Sequence, residues 1–349
     1  MTSENGALLE LRNLKKHFPV GGGLLGGLTG KKEYLKAVDG INLTIEPGTT
    51  YGLVGESGCG KSTTAKMVLM LENPTEGEIF FEGQDAINSS SAAKKYYKSN
   101  VQAVFQDPWA SLNPRMRVQG IISEPLEVNT KMTKLQIKNK VSEILEEVGL
   151  QSYQANLYPH EFSGGQRQRI GVARSLALNP KLIVLDEPVS ALDVSIRAQI
   201  MNLLMDLQKE HGLTYLLIAH HLATVRYMCD KMGVMYLGKM VEQAVTDDLF
   251  DTPAHPYTQA LIGAALPYHP DDTKEDSILE GEVPSPINPP SCCSYAPLCP
   301  EPDPACDANE ITYREVGSGR NHWTAHCAHC MDTYGCYYFP RVNPNVRGI

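Results

Sequence analysis

The sequence lacks the long apolar segment that a membrane-spanning helix requires, since no apolar run approaches about 20 residues. Residues 1–5 also lack the charged and then apolar arrangement of a secretory signal peptide. We therefore expect a protein that stays in the cytosol and that contacts a membrane only through a partner.

Basic residues are in deficit as well. The chain has 31 Lys and Arg against 40 Asp and Glu, a formal net charge of -9, and no stripe of clustered basic residues. Binding to nucleic acid favours such a stripe, so DNA and RNA are not expected partners.

Cysteine is better represented, with nine residues. Because the cytosol keeps thiols reduced, these cysteines are expected to be metal ligands or reduced thiols.

A glycine-rich segment after the strand-like run at 49–54 is the first element with a clear chemical meaning. It fits the pattern G-x-x-x-x-G-K-[ST], in which glycines let backbone N–H groups curl around phosphate oxygens. In that pattern the lysine bridges the outer phosphates and the following hydroxyl ligates Mg²⁺. The residues of the segment are Gly55, Glu56, Ser57, Gly58, Cys59, Gly60, Lys61 and Ser62, followed by Thr63. By itself this pattern predicts only a P-loop nucleoside triphosphatase.

Further short segments follow the P-loop in a fixed order. They are Gln106 within 104–108, then Ser163, Gly164, Gly165 and Gln166, then the apolar run 182–185 closed by Asp186 and Glu187, then 190–193 ending in Asp193, and finally His220 after 216–219. Any one of these segments could be an ordinary turn, a strand end or a core histidine. Together and in this order they resemble the ATPase subunit of ABC transporters, with its Walker A, Q-loop, signature, Walker B, D-loop and switch histidine motifs.

The resemblance implies that ATP and Mg²⁺ bind here and assigns a role to each motif. The nucleotide would contact Phe18, Gly55, Ser57, Gly58, Cys59, Gly60, Lys61, Ser62, Thr63 and Asp186. Ser62 and Gln106 would reach the Mg²⁺, Glu187 would orient and polarise the attacking water, and His220 would contact the γ-phosphate. Phe18 would stack on the adenine, and Tyr34 is the alternative for that role.

The signature segment is expected to act on a neighbouring subunit. Ser163 to Gln166 precede a helical run, so their N–H groups and the Ser163 hydroxyl would face an anion from a helix N-terminus. In the family that anion is the γ-phosphate held by the partner's Walker A motif, which implies a head-to-tail dimer enclosing two ATP molecules.

One departure from the family's motifs is His221, where the family usually carries Asp. It is expected to be a neutral surface residue, and the alternative is a pH-sensitive charge beside His220.

Strands that alternate with helices predict an α/β fold with a parallel sheet. Strands are expected at 8–14, 37–45 and 214–218, and apolar spacing predicts a helix over 137–148 ended by Gly149 and another over 196–207. The resemblance implies a RecA-like parallel-sheet core, an antiparallel β subdomain and an α-helical subdomain at about 107–175. These would form an ATPase domain over 1–265, followed by a C-terminal extension over 266–349.

Flanking sequence indicates which transporters are most similar. The segments 105–115, 255–261 and 281–286 resemble the oligopeptide and dipeptide importer ATPases, a group that also contains nickel and some sugar importers. The implied partners are a second, non-identical ATPase subunit, two transmembrane permease subunits and, indirectly, an extracytoplasmic binding protein. The implied location is the cytoplasmic face of the cell membrane. Trp109 and Leu112 are the expected contact with the permease.

The C-terminal extension is rich in Pro, Cys and acidic residues and shows neither helical nor strand periodicity. A metal centre could supply the order that an apolar core does not. The resemblance suggests a [4Fe–4S] cluster on Cys293, Cys299, Cys306 and Cys327, because some family members hold one here. Four thiolates also suit zinc, and Cys330 and Cys336 allow other ligand sets or plain thiols. Cys59 and Cys229 are expected to be structural.

Two other classes of protein fit less well. A soluble ABC ATPase of DNA repair or of the ribosome would carry a coiled-coil insertion or two sets of motifs, and this chain has one set. A metal-sensing regulator that only binds ATP would have no use for the carboxylate of Glu187.

Overall fold

In the computed structural model of the chain, the residues described are 6–20, 33–265, 284–287, 289, 293–299, 311–315 and 322–327. Within these ranges the strands form two sheets, one of four strands and one of eight. The helices cover the larger sheet and form a separate group between its strands β6 and β7 in the chain order.

The smaller sheet is antiparallel and has the strand order β2-β1-β4-β5. Its strands are β1 (Leu9–Val20), β2 (Glu33–Ile45), β4 (Glu76–Phe81) and β5 (Gln84–Asp85). Leu9, Leu11 and Leu14 of β1 are buried, with a register shift between the last two that Asn13 accommodates at φ 45°. The first two strands extend beyond the predicted ranges, since backbone pairing continues to Val20 and Glu33 through half-buried residues that carry little periodic signal.

The larger sheet has the strand order β11-β12-β10-β9-β3-β8-β7-β6, and its neighbours from β9 to β6 are parallel. The strands are β3 (Thr50–Val54), β6 (Val101–Val104), β7 (Leu182–Asp186), β8 (Thr214–Ile218), β9 (Lys231–Tyr236), β10 (Lys239–Val245), β11 (Ile311–Glu315) and β12 (Trp323–Cys327). All of β3 and β8 and the first four residues of β7 are buried, as expected when both faces of a parallel sheet are covered. The predicted parallel α/β core is confirmed.

Helices account for most of the remaining chain. They are α1 (Lys61–Val68), α2 (Ser91–Asn100), α3 (Pro108–Ser111), α4 (Val118–Asn129), α5 (Lys134–Glu147), α6 (Gly164–Leu176), α7 (Val194–His211), α8 (Leu222–Met228), α9 (Thr246–Asp251) and α10 (Pro256–Ala265). Single 3₁₀ turns lie at Ser152–Asn156, Pro159–Glu161 and Ala296–Leu298. Helix α5 begins with a capping box of Thr133 and Gln136, and Gly149 follows it at φ 73°. No helix in the described part of the chain is long and apolar enough to cross a bilayer.

The described strands of the C-terminal region, β11 and β12, belong to the larger sheet. Strand β12 pairs with β10, so that the described part of the extension lengthens the central sheet. His322, just before β12, lies 2.5 Å through Nε2 from the carboxylate of Glu242 in β10, and Glu242 is fully buried. The sequence of this region shows no strand periodicity, because strands near the end of a sheet are fixed by pairing and need no strong alternation of their own.

Candidate functional site

The loop between β3 and α1 has a backbone conformation that requires glycine at two positions. Gly55 has φ 144° and Gly60 has φ 109°. A Cβ on Gly60 would come within 2.2 Å of the Ala37 carbonyl oxygen, and one on Gly55 within 2.2 Å of the Met235 carbonyl oxygen. Any larger residue would therefore push the loop away from the strands behind it.

Lys61 is held inside this loop by backbone carbonyls. Its side chain is buried, and Nζ donates to the carbonyl oxygens of Gly55 at 2.7 Å and Glu56 at 2.8 Å. Ser62 and Thr63 follow in the first turn of α1 and line the same cleft. The loop thus presents an ammonium group, two hydroxyls and the start of a helix to one side, which is the chemistry that phosphate oxygens require.

Three side chains from separate loops meet beside the P-loop. Glu187 directly follows β7, and its Oε2 accepts a hydrogen bond from Nε2 of Gln106 at 2.7 Å. Nδ1 of His220, which follows β8, lies 3.1 Å from the same oxygen. Strands β6, β7 and β8 are parallel neighbours, so the residues after their carboxyl ends converge at one edge of the sheet.

Glu187 occupies a backbone conformation that side-chain-bearing residues seldom adopt. Its φ is 47°, and its N–H donates to the carbonyl oxygen of Ile218 at 3.0 Å. The Glu187 carbonyl in turn accepts from the hydroxyl of Ser190 at 3.1 Å. These bonds hold the carboxylate toward the cleft, and such a fixed, sparsely populated conformation is common at functional sites.

Asp186, the last residue of β7, has an altered acidity. Burial raises the pKa of its carboxyl, the neighbouring carboxylate of Glu187 raises it further, and the ammonium groups of Lys66 and Lys61 oppose the rise. Two adjacent carboxylates therefore repel at this point. A divalent cation would relieve that repulsion.

The three loops and the P-loop enclose an open cleft of about 540 Å³. Its lining includes Phe18, Ser57, Gly58, Gly60, Lys61, Ser62, Thr63, Gln106, Glu187 and His220. The Phe18 ring is 4.9 Å from the ammonium of Lys16, whereas Tyr34 is not part of the lining. Sequence reasoning missed Lys36 and Gly238, which complete the wall from β2 and from the turn between β9 and β10. Both residues of that turn have positive φ, 43° for Leu237 and 81° for Gly238, and the glycine is its sequence signal.

The signature residues do not line this cleft. Ser163 caps α6: its hydroxyl accepts from the N–H of Gln166 at 3.3 Å, and the Gln166 amide oxygen accepts from the N–H of Ser163 at 3.0 Å. Gly164 and Gly165 form the first turn, and a Cβ on Gly165 would come within 2.5 Å of Ile196. Asp193 stands at the N-terminus of α7, and its side chain makes no capping hydrogen bond.

His221 is an exposed neighbour of the cleft. Partial burial lowers the pKa of its imidazole, and the positive charge of Arg197 and the ring of His220 lower it further. The two histidine rings lie 6.2 Å apart between centroids. A lowered pKa favours the neutral form of the His221 imidazole at neutral pH.

The predicted cysteine cluster lies only partly within the described residues. Cys293 and Cys299 flank the 3₁₀ turn at Ala296–Leu298 and are half-buried. Cys306 lies outside the described residues, and of Cys327 only the backbone position in β12 is described. Across the described ranges, no group of three or more His, Cys, Asp or Glu side chains is arranged to hold a metal ion. Cys59 and Cys229 are buried, as expected for structural cysteines, and burial raises the pKa of both thiols.

Comparison with known proteins identifies the class. Residues 38–190 match the family model described as ABC transporter. The structure of cbiO1 from Clostridium perfringens, part of the ABC transporter complex cbiONQ, superimposes with a TM-score of 0.61 at 28% identity, covering 71% of this chain and 92% of that one. A dimeric ATP-binding cassette, MJ0796 with ADP and phosphate, gives a TM-score of 0.58 at 27% identity over 68% and 98% of the two chains. The chain is an ABC-type ATPase.

Two further matches narrow the class. Residues 241–306 match the family model described as the C-terminal region of oligopeptide/dipeptide transporters. The oligopeptide transport ATP-binding protein AppF of Bacillus subtilis is 49% identical, covering 90% of this chain and 96% of the relative. The dipeptide transport ATP-binding protein DppF of Escherichia coli is 47% identical over 84% and 86%. The chain therefore belongs to the family of oligopeptide and dipeptide transport ATP-binding proteins.

Proposed function

We propose that this chain hydrolyses ATP to power import of oligopeptides or dipeptides through a membrane permease, and that it works with a second ATPase subunit. The observation that carries the hydrolytic part is the meeting of Gln106, Glu187 and His220 beside the P-loop. The cargo is inferred from relatives whose names specify oligopeptides, dipeptides or di- and tripeptides. Association with the permease would hold the chain at the cytoplasmic face of the membrane.

The residues of the cleft have distinct roles in this proposal. The P-loop N–H groups and Lys61 bind the phosphates of ATP. ATP is the substrate, and its phosphates carry most of the negative charge in the cleft. Ser62, Gln106 and Asp186 are oxygen donors of the kind that Mg²⁺ prefers, and the cation would neutralise charge on the phosphates. Glu187 accepts a proton from the attacking water, and His220 donates to the γ-phosphate.

The signature segment completes the site of the second subunit. Support comes from its position: Ser163 to Gln166 lie at the N-terminus of a 13-residue helix and outside the cleft of their own chain. The positive end of a helix dipole stabilises an anion presented by another molecule. A head-to-tail pair of ATPase subunits would therefore enclose two ATP molecules, and hydrolysis would let them separate.

The permease is proposed to contact the segment after Gln106. Trp109 in α3 is half-exposed, and the guanidinium carbon of Arg167 lies 3.9 Å from the centroid of its ring. Arg167 directly follows the signature residues in α6. A push on Trp109 would thus reach the signature helix through a cation–π contact, which is worth about 0.5–2 kcal/mol.

The test is transport by the chain assembled with its sister ATPase and permease in vesicles. We expect ATP-dependent peptide uptake, ATPase activity that rises on assembly, and loss of nucleotide affinity in Lys61→Ala. The matched control is Lys138→Ala, which removes an exposed lysine of α5. Full ATPase activity in a monomer would refute the trans arrangement, and uptake of nickel or sugar in place of peptide would refute the cargo.

We also propose that Cys293, Cys299, Cys306 and Cys327 hold a [4Fe–4S] cluster. The support is the spacing of the four residues and the soft thiolate donors, of which the first two flank one short turn. The cluster would supply folding free energy to the extension. Iron and labile sulfide are expected in protein purified without oxygen, whereas one zinc per chain or no metal would rule the cluster out.

A further inference from the structure

The P-loop receives a hydrogen bond partner from a residue about 200 positions later in the chain. The hydroxyl oxygen of Tyr257, in the first turn of α10, accepts from the N–H of Glu56 at 3.0 Å. Tyr257 is 1% exposed and is among the largest fully buried side chains of the described residues. Because the phenol is buried and its oxygen accepts a hydrogen bond from a loop amide, it fixes the position of that amide.

The amide in question belongs to a peptide unit that also holds Lys61. The N–H of Glu56 and the carbonyl of Gly55 are two ends of one planar peptide group. That carbonyl oxygen accepts from Nζ of Lys61 at 2.7 Å, and the next carbonyl, of Glu56, accepts at 2.8 Å. Because the group is rigid, a rotation that broke the Tyr257 bond would also move the oxygen that holds the ammonium.

Tyr257 is itself fixed by its neighbours. Its ring centroid lies 4.7 Å from that of Tyr236 in β9 and 5.6 Å from that of Tyr295, which lies between Cys293 and Cys299 in the chain. Its own N–H donates to Nδ1 of His255 at 3.1 Å. Burial raises the pKa of the Tyr257 hydroxyl, so that it stays neutral at physiological pH. The hydroxyl therefore has one position and one protonation state.

We propose that Tyr257 is a positioning residue for the nucleotide site: it fixes the Gly55–Glu56 peptide group and, through it, the Lys61 ammonium that meets the outer phosphates of ATP. The inference rests on the proposed role of Lys61. It gives the segment 241–306, which matches the C-terminal region of oligopeptide/dipeptide transporters, a task in the ATPase site that the nucleotide motifs do not supply. The side chain of Tyr257 does not contact ATP in this proposal and acts only through the loop.

The test is Tyr257→Phe, which keeps the ring and removes the acceptor. We expect the dissociation constant and the KM for ATP to rise about three- to tenfold, the range that the loss of one ordinary hydrogen bond produces. The kcat of the assembled transporter should stay within about twofold, since Glu187 is untouched. Hydrogen exchange of the Glu56 amide should be slow in the parent protein and faster in the variant.

Two control variants separate positioning from general stability. Tyr295→Phe removes a buried hydroxyl of the same aromatic cluster that has no hydrogen-bond partner among the described residues. Tyr215→Phe removes a buried hydroxyl that donates to the Leu204 carbonyl at 2.8 Å and so belongs to the contact between β8 and α7. Tyr215→Phe should lower the melting temperature, and both controls should leave the KM for ATP unchanged.

The outcomes decide between the two proposals. If Lys61→Ala keeps its affinity for ATP, the role of Lys61 fails and this inference falls with it. If Lys61→Ala loses affinity while Tyr257→Phe binds ATP like the parent, only the inference about Tyr257 is overturned. A fast-exchanging Glu56 amide in the parent protein would overturn it without any variant, and so would an equal rise of KM in Tyr215→Phe.

Discussion

The replacement of Glu187 by Gln is the most direct test of the hydrolytic site. The carboxylate meets Gln106 and His220 through a single oxygen, Oε2, at 2.7 and 3.1 Å. A glutamine amide has nearly the same shape, and its oxygen can still accept from Gln106. The substitution therefore leaves the loop contacts in place and removes chiefly the capacity to take a proton from water.

The expected loss of rate follows from removing the proton acceptor while the loop contacts remain. Loss of a positioned general base costs about 10²- to 10⁴-fold in rate. At 1.36 kcal/mol per factor of ten, this corresponds to roughly 3–5 kcal/mol of transition-state stabilisation. Since Glu187 does not belong to the P-loop, the affinity for ATP should change by less than about threefold, a difference of under roughly 0.7 kcal/mol.

The assay is phosphate release by the chain assembled with its partners, together with ATP binding measured on the same preparation. Glu187→Gln should bind ATP, release phosphate at least about 10²-fold more slowly, and accumulate as a closed, ATP-bound dimer. Glu210→Gln, an exposed carboxylate of α7, is the matched control and should behave like the parent. Phosphate release within a few-fold of the parental rate in Glu187→Gln would refute the role of this residue.

Three other variants test other parts of the molecule. Trp109→Ala removes the ring beside Arg167, and we expect less peptide transported per ATP hydrolysed with unchanged ATP affinity; an unchanged ratio would contradict the coupling role. His322→Ala removes the imidazole beside the buried Glu242 carboxylate, which keeps the N–H groups of Ala254 and His255 as donors, and should lower the free energy of unfolding by about 1.5–3 kcal/mol in thermal or urea unfolding. An unchanged midpoint would contradict a stabilising pair. The pKa of His221 in the folded state is lowered from 6.5, so the unfolded chain binds more protons below that pH and the free energy of unfolding falls as the pH drops. His221→Asn should flatten this pH dependence of stability. An unaltered pH profile of stability in the variant would contradict the role of His221.

The nucleotide chemistry could be read from the sequence because each motif depends on local backbone geometry. A glycine-rich turn between a buried strand and a helix favours a phosphate-binding loop, and Gly55 and Gly60 adopt the positive φ that such a turn needs. The resemblance to ABC ATPases also implied that Gln106, Glu187 and His220 share one site, and they meet because their parallel strands end at one edge of the sheet. Helix ends such as Gly149 follow the same local rules.

The role of the C-terminal region was not accessible in this way. Its sequence shows no strand periodicity from which β12 could be predicted, yet β12 pairs with β10 and extends the central sheet. Pairing at the end of a sheet depends on which edge is available, and an edge strand needs little hydrophobic alternation.

By itself, the sequence determined the P-loop and the parallel core, because glycine placement and strand periodicity act over short distances, and the order of its motifs determined the resemblance that implied the reaction class. Only the tertiary structure decided that Tyr257 meets Glu56 and that His322 meets Glu242, across 201 and 80 positions of the chain. Such contacts carry no local signal. They follow from the packing of whole elements, in which a buried hydroxyl or carboxylate is tolerated only where a partner from elsewhere satisfies it.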